Sequence, residues 1–317
     1  MNVEESDIVN IRFEELSSYR GEKVLLPMHG YFNYSKDFPA VPTSPDIVPV
    51  YLGFHTTSKN YIKNKPYWKE QKIVGCRDEA TWTAMTQEGY SAFLTGCMTV
   101  LFPKRECTPK KERVFLVDAH PKIEPYIPAN LRDKIEYISH DVKVDKKLST
   151  KEQIEMGEKI TRDIYRRYAE EAILVVTSRL HCAAPCLAMG IPVILARDGF
   201  DERYGWLDKF LPLYTPETFA EIDWNPARID LEAHKKLVMQ LAVSIIRQQP
   251  EEEDLLAVQN FYLNREKHTL SPSLMVRGYI CLSQYCPDLA NFLREKVLFR
   301  FTISAKSREN ERNERKK

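Results

Sequence analysis

ILVVTSRLHCAAPCLAMGIPVILA, residues 173–196, is the stretch whose reading decides the fold. Ile173, Leu174, Val175 and Val176 form a continuous apolar run, the pattern of a parallel strand buried on both faces. Thr177 and Ser178 break it. The spacing then predicts a short helix from His181 to Met189, closed by Gly190, and a second strand from Ile191 to Leu195. Ser178, Arg179 and His181 fall where a strand's carboxyl end meets a helix's first turn. Ligands bind there in open α/β sheets, because free helix amides and the helix dipole face the crevice. A fixed cation beside a titratable imidazole suits an anionic substrate whose chemistry needs a proton moved. A purely structural reading also stands, with Arg179 holding a carboxylate and His181 packed beneath a loop.

The 317 residues suffice for two domains of ordinary size, and 43% hydrophobic with 29% charged residues describes a soluble globular chain. A formal net charge of +1 argues against a general nucleic-acid partner, which needs a basic excess to neutralise phosphates. No run approaches the ~18 apolar residues of a membrane span. The opening MNVEESDIVN is acidic and polar, unlike a signal peptide, so a cytoplasmic location is expected. The seven cysteines are scattered and odd in number, and form no disulfide framework. Cys182 and Cys186, four apart and next to His181, fit buried small residues on the packing face better than metal ligands, and no metal is expected.

Working outward, KVLLPM (23–28) reads as the first strand, followed by a loop in which His29, Gly30, Tyr31 and Asn33 border a crevice. Ile47–Phe54 and Lys72–Cys76 are further strands. Arg77 ends the latter and precedes a helix from Ala80 to Glu88, repeating the placement of Arg179. Read alone, Arg77 fits a surface ion pair with Asp78 or Glu79. After the strand within Tyr90–Val100, Gly96 is placed to let backbone approach a ligand. The basic linker PKRECTPKKER (103–113) marks a boundary. The organisation expected is an N-terminal α/β domain over 1–110, a second over 111–230, and a helical extension with a charged tail over 231–317. In the second domain, strands at Val114–Val117 and Ile135–Ile138 end in Asp118, His120, His140 and Asp141, more polar residues than one site needs. A helix follows over Thr150–Glu171. Arg203 is the residue to watch in the loop RDGFDERYGW (197–206). The patch Phe292–Phe301 reads as an amphipathic segment that rests on the inner face of a membrane, or packs against a domain or a second copy of the chain.

GCRDEAT (75–81), LTGCMT (94–99) and VVTSRLHCAAPCLAMGIPV (175–193), in this order and separation, resemble the polysaccharide pyruvyl transferase family. The resemblance implies two Rossmann-like domains facing one another across a cleft, a GT-B-like arrangement. The N-terminal domain is expected to be shortened, since KVLLPMHG begins almost at once where many members have an additional βα unit. It also implies transfer of the pyruvyl group of phosphoenolpyruvate to hydroxyls of a glycan or lipid-linked saccharide as a ketal, with no cofactor beyond that donor. The family's RD arginine falls on Arg77 and its RLH arginine and histidine on Arg179 and His181, the catalytic candidates. Arg203, His29, Gly96 and Ser178 are candidates for substrate binding. Two other functions fit the same scaffold. One is a glycosyltransferase using a nucleotide sugar, with Asp198 or Asp201 holding the ribose. The other is a non-catalytic relative in glycan assembly.

Overall fold

A computed structural model describes residues 4–32, 39–143, 145, 147–247 and 249–268. Asn33, the Phe292–Phe301 patch and the charged tail lie outside the described residues. The chain opens with strand β1 (Val24–Tyr31), then β2 (Ile47–His55), the short helices α1 (Lys59–Ile62) and α2 (Lys65–Glu70), β3 (Val74–Cys76), α3 (Glu79–Gln87) and β4 (Ala92–Leu94). These strands form one parallel sheet in the order β1-β2-β3-β4. Next come β5 (Arg113–Val117), α4 (Ala129–Arg132), β6 (Ile135–Ile138), α5 (Thr150–Glu171), β7 (Ala172–Thr177), α6 (Leu180–Ala188), β8 (Val193–Ala196) and β9 (Leu213–Tyr214). They form a second parallel sheet in the order β6-β5-β7-β8-β9. Numbered within this sheet alone, the order is 2-1-3-4-5, a doubly wound arrangement whose switch point lies between β5 and β7. Helices α7 (Glu232–Ile246) and α8 (Glu252–Leu263) follow.

The two-residue period of a strand sorts the second sheet's side chains onto two faces. Val114, Leu116, Leu174, Val176, Ile194 and Ala196 feed one apolar cluster. The alternate residues, Phe115, Val117, Val175, Val193 and Leu195, feed another that also holds Val50, Leu52 and Leu94 of the first sheet. The core that α6 lies in is therefore shared by both sheets. Leu241, Leu255, Val258 and Tyr262 of α7 and α8 belong to it as well, and Gln259 accepts the backbone N–H of Leu94 at 3.1 Å. The helices read from sequence beyond residue 230 are thus built into this core up to Leu263.

Three local readings change. His29, Gly30 and Tyr31 belong to β1 rather than to a loop, because pairing with β2 continues to Tyr31 opposite His55 across a bulge between Met28 and Gly30. Helices α1 and α2 occupy a stretch with no helical reading, held by Ser58 capping the Tyr61 N–H and by the indole of Trp68, which donates to the Tyr61 carbonyl at 2.6 Å. Strand β9 is two residues long and exists only as an edge on β8.

Candidate functional site

A cavity of about 730 Å³ opens at the carboxyl ends of the second sheet's strands and is walled on the other side by Tyr31 and Arg77 of the first-sheet half. Asp118, Ser178 and Arg179 stand in it at the switch point, directly after β5 and β7.

Asp118 organises this end. Its φ of 44° is in the left-handed region, which aspartate tolerates better than most side chains but at a cost. That backbone lets one carboxylate oxygen accept both the His140 N–H at 2.9 Å and the Arg179 Nε–H at 3.0 Å. The Asp118 carbonyl accepts the Ser178 hydroxyl at 2.6 Å. A second carboxylate, Asp141, takes Arg179 Nη2 at 2.8 Å. Arg179 is the N-cap residue of α6, and two of its donors are already committed to carboxylates.

Arg77 is in the opposite condition. It is 1% exposed, and its Nε and Nη2 atoms are buried with no hydrogen-bond partner among the described residues. The carboxylate beside it, Asp78, lies 4.0 Å from Nε. It is engaged elsewhere, accepting from the Thr81 N–H at 2.9 Å as the cap of α3 and meeting His55 Nδ1 at 2.5 Å. The surface ion pair read from sequence is therefore replaced by a buried guanidinium facing a cavity, an arrangement that favours an anion supplying the missing acceptors.

His181 is the exposed residue of the otherwise buried α6. The surrounding protein, then the charges of Arg77, His29 and Arg203, hold its imidazole below the usual histidine range. His29 is lowered by burial and then by Arg77. The imidazole of His181 is thus neutral near pH 7 and able to accept a proton. Its backbone is pinned by an uncommon device. Pro185 has no N–H to return to the His181 carbonyl four residues earlier, and the Tyr165 hydroxyl of α5 donates to that carbonyl instead.

Arg203 lines the cavity with its guanidinium 5.7 Å over the Tyr31 ring, and it is paired in bidentate fashion with Asp201 at 2.9 and 2.6 Å. Gly96 has a different role from the one read in its sequence. Its φ of +71° is left-handed, and a Cβ there would overlap the phenol of Tyr262. The close approach that the structure shows is to Tyr262 of α8. Asp198, a candidate for ribose, holds His120 Nε2 at 2.9 Å. Cys182 and Cys186 are fully buried, and among the described residues no group of three or more His, Cys, Asp or Glu is arranged to hold a metal ion.

Sequence reasoning missed Arg197, whose guanidinium reaches the Tyr204 hydroxyl and lies 4.7 Å over that ring. Its position directly after β8 was the available signal. The buried His55–Asp78 pair was also missed, because nothing in either local segment points across 23 residues.

Among solved structures, the chain is similar to a UDP-N-acetylglucosamine 2-epimerase, described as putative, from Listeria monocytogenes, at 14% identity over 68% of this chain and 66% of that one, with a TM-score of 0.35. It is also similar to S. aureus MnaA in a co-structure with UDP, at 12% identity over 69% of each, with a TM-score of 0.33. Overlaps this partial carry no argument about activity. No curated protein matches. Residues 65–196, which run from α2 to the last residue of β8 and hold Arg77, Ser178, Arg179 and His181, match the family model described as Polysaccharide pyruvyl transferase.

Proposed function

We propose that the protein transfers the pyruvyl group of phosphoenolpyruvate to paired hydroxyls of a saccharide destined for a polysaccharide. The observation that carries this reading is Arg77, a buried guanidinium in the wall of the cavity that Arg179 and Arg203 also line, with two donors that have no partner among the described residues. Phosphoenolpyruvate offers the complement, a carboxylate and a phosphate that each accept from a planar guanidinium.

In this reading the donor's enol methylene takes a proton to become a methyl group. Two hydroxyl oxygens bond to the donor's second carbon, and the bond from that carbon to the phosphate oxygen breaks. Of the two hydroxyl protons, one balances the methyl group and the other leaves on the phosphate. His181, neutral before the donor binds, accepts a hydroxyl proton and returns it to the methylene, a role worth on the order of 10²- to 10⁴-fold. The arginines stabilise the departing phosphate. Arg179, held by Asp118 and Asp141, contributes its charge and fixes the turn that presents His181.

The test is thermal unfolding with phosphoenolpyruvate, a set of nucleotide sugars, and phosphate as control. A rise in midpoint with phosphoenolpyruvate is expected, lost in Arg77→Met, whose own ligand-free unfolding midpoint shows that the variant folds. A rise with nucleotide sugars alone would overturn the reading in favour of glycosyl transfer. His181→Ala should abolish turnover and keep the donor-induced rise.

A further inference from the structure

The cavity is larger than its donor needs. Phosphoenolpyruvate has about ten heavy atoms, which at about 30 Å³ each, the liquid share of a water molecule, fill about two fifths of 730 Å³. The cations on the walls are also unequally neutralised. Arg179 lies between Asp118 and Asp141, and Arg203 is saturated in bidentate fashion by Asp201. Two guanidiniums are left. One is Arg77. The other is Arg197, which among the described residues has no carboxylate within 4.0 Å and is held by the Tyr204 hydroxyl and by the faces of Tyr204 and Phe200, at 4.7 and 6.0 Å.

Arg197 is well braced. It follows β8 directly, and its N–H donates to the Tyr214 carbonyl at 3.0 Å, carrying the β8–β9 pairing one residue further. Tyr204 is 4% exposed, and its hydroxyl also meets the Ser178 carbonyl at 3.3 Å, which ties the arginine to the carboxyl end of β7. The carboxylates nearest in sequence face other partners, Asp198 toward His120 and Asp201 toward Arg203.

We propose that Arg197, oriented by Tyr204, is a second anion subsite of the same cavity and that it takes a phosphate group that is not part of an intact bound donor. Two sources share that chemistry: a phosphate-bearing saccharide acceptor, and the inorganic phosphate that the reaction releases. The inference rests on the transferase reading for the identity of the first anion, but the subsite is tested independently of it.

The experiment measures unfolding midpoints of the full chain with saturating phosphoenolpyruvate, with inorganic phosphate, with a hexose 1-phosphate, and with each phosphate added on top of the donor. The wild type should gain a further rise when a phosphate is added to saturating donor. Arg197→Gln should lose that increment, with phosphate affinity weakened roughly 10- to 100-fold, and should keep the donor's own rise. A larger increment from the hexose 1-phosphate supports the subsite with the acceptor as its source. Equal increments support it with released phosphate as the source. If Arg197→Gln does not fold, Tyr204→Phe keeps the ring, removes the hydroxyl, and should reduce the increment alone. No increment over saturating donor in the wild type overturns the subsite, as does loss of the donor's rise together with the phosphate's in Arg197→Gln. A phosphate rise that depends on Arg197 when phosphoenolpyruvate gives none would support the subsite and sink the donor reading instead.

Discussion

Replacing Gly96 by alanine tests the packing of α8 against the first sheet. Gly96 sits at φ +71°, where an L side chain costs about 1–2 kcal/mol. The added Cβ would also lie inside the Tyr262 phenol, which cannot step aside freely. Tyr262 is fully buried and its hydroxyl is bonded to His234 Nε2 at 2.8 Å. Overpacking of this kind costs about 1–3 kcal/mol, so the sum is about 2–5 kcal/mol, a large part of a typical folding free energy of about 5–15 kcal/mol. Urea unfolding followed by tryptophan fluorescence measures it. In a Tyr262→Leu background the clash is relieved and the cost of Gly96→Ala should fall to the backbone strain alone, leaving a coupling of about 1–3 kcal/mol. A loss below about 1 kcal/mol, or no coupling, would refute the argument. Loss of donor-induced stabilisation in Gly96→Ala at unchanged stability would restore a ligand-approach role for the glycine.

The buried His234 gives a pH dependence of definite sign. Burial, and then the charge of Arg265, push its pKa down to about 3, below the ~6.5 of an unfolded chain. Its contribution to stability is complete above pH 6.5 and is lost as pH falls toward 3, at up to about 1.4 kcal/mol per unit. His234→Gln should flatten the slope of unfolding free energy between pH 6.5 and 5, and an unchanged slope would exclude this histidine as a source. Tyr165→Phe removes the donor to the His181 carbonyl and should cost about 1 kcal/mol, the low end for an orphaned carbonyl because water reaches it. In a Pro185→Ala background the restored N–H should make Tyr165→Phe nearly neutral, and an equal cost in both backgrounds would show that the hydroxyl matters elsewhere.

The run Ile173–Val176, the break at Thr177-Ser178 and the closing Gly190 determined by themselves that this chain has a parallel α/β unit with Ser178, Arg179 and His181 at a strand end. Those features are local: apolar periodicity and a left-handed glycine act within a few residues. The basic linker at 103–113 falls between the last strand of the first sheet and the first strand of the second, and both sheets contribute to one core. Which arginine is free was a different kind of question. Arg77 and Arg179 read alike from sequence, each a cation between a strand and a helix. Only the tertiary structure, among the described residues, buries the Nε and Nη2 of Arg77 without acceptors, gives Arg179 two carboxylates, and leaves the Arg197 guanidinium with aromatic partners. Partnership depends on residues brought from 23 to 61 positions away, such as His55 on Asp78 and Asp118 on Arg179. Gly96 makes the same point in reverse. Its sequence shows that backbone must be approached closely, but the approaching group, Tyr262, comes from the far end of the described chain, because burying α8 against the sheet required it.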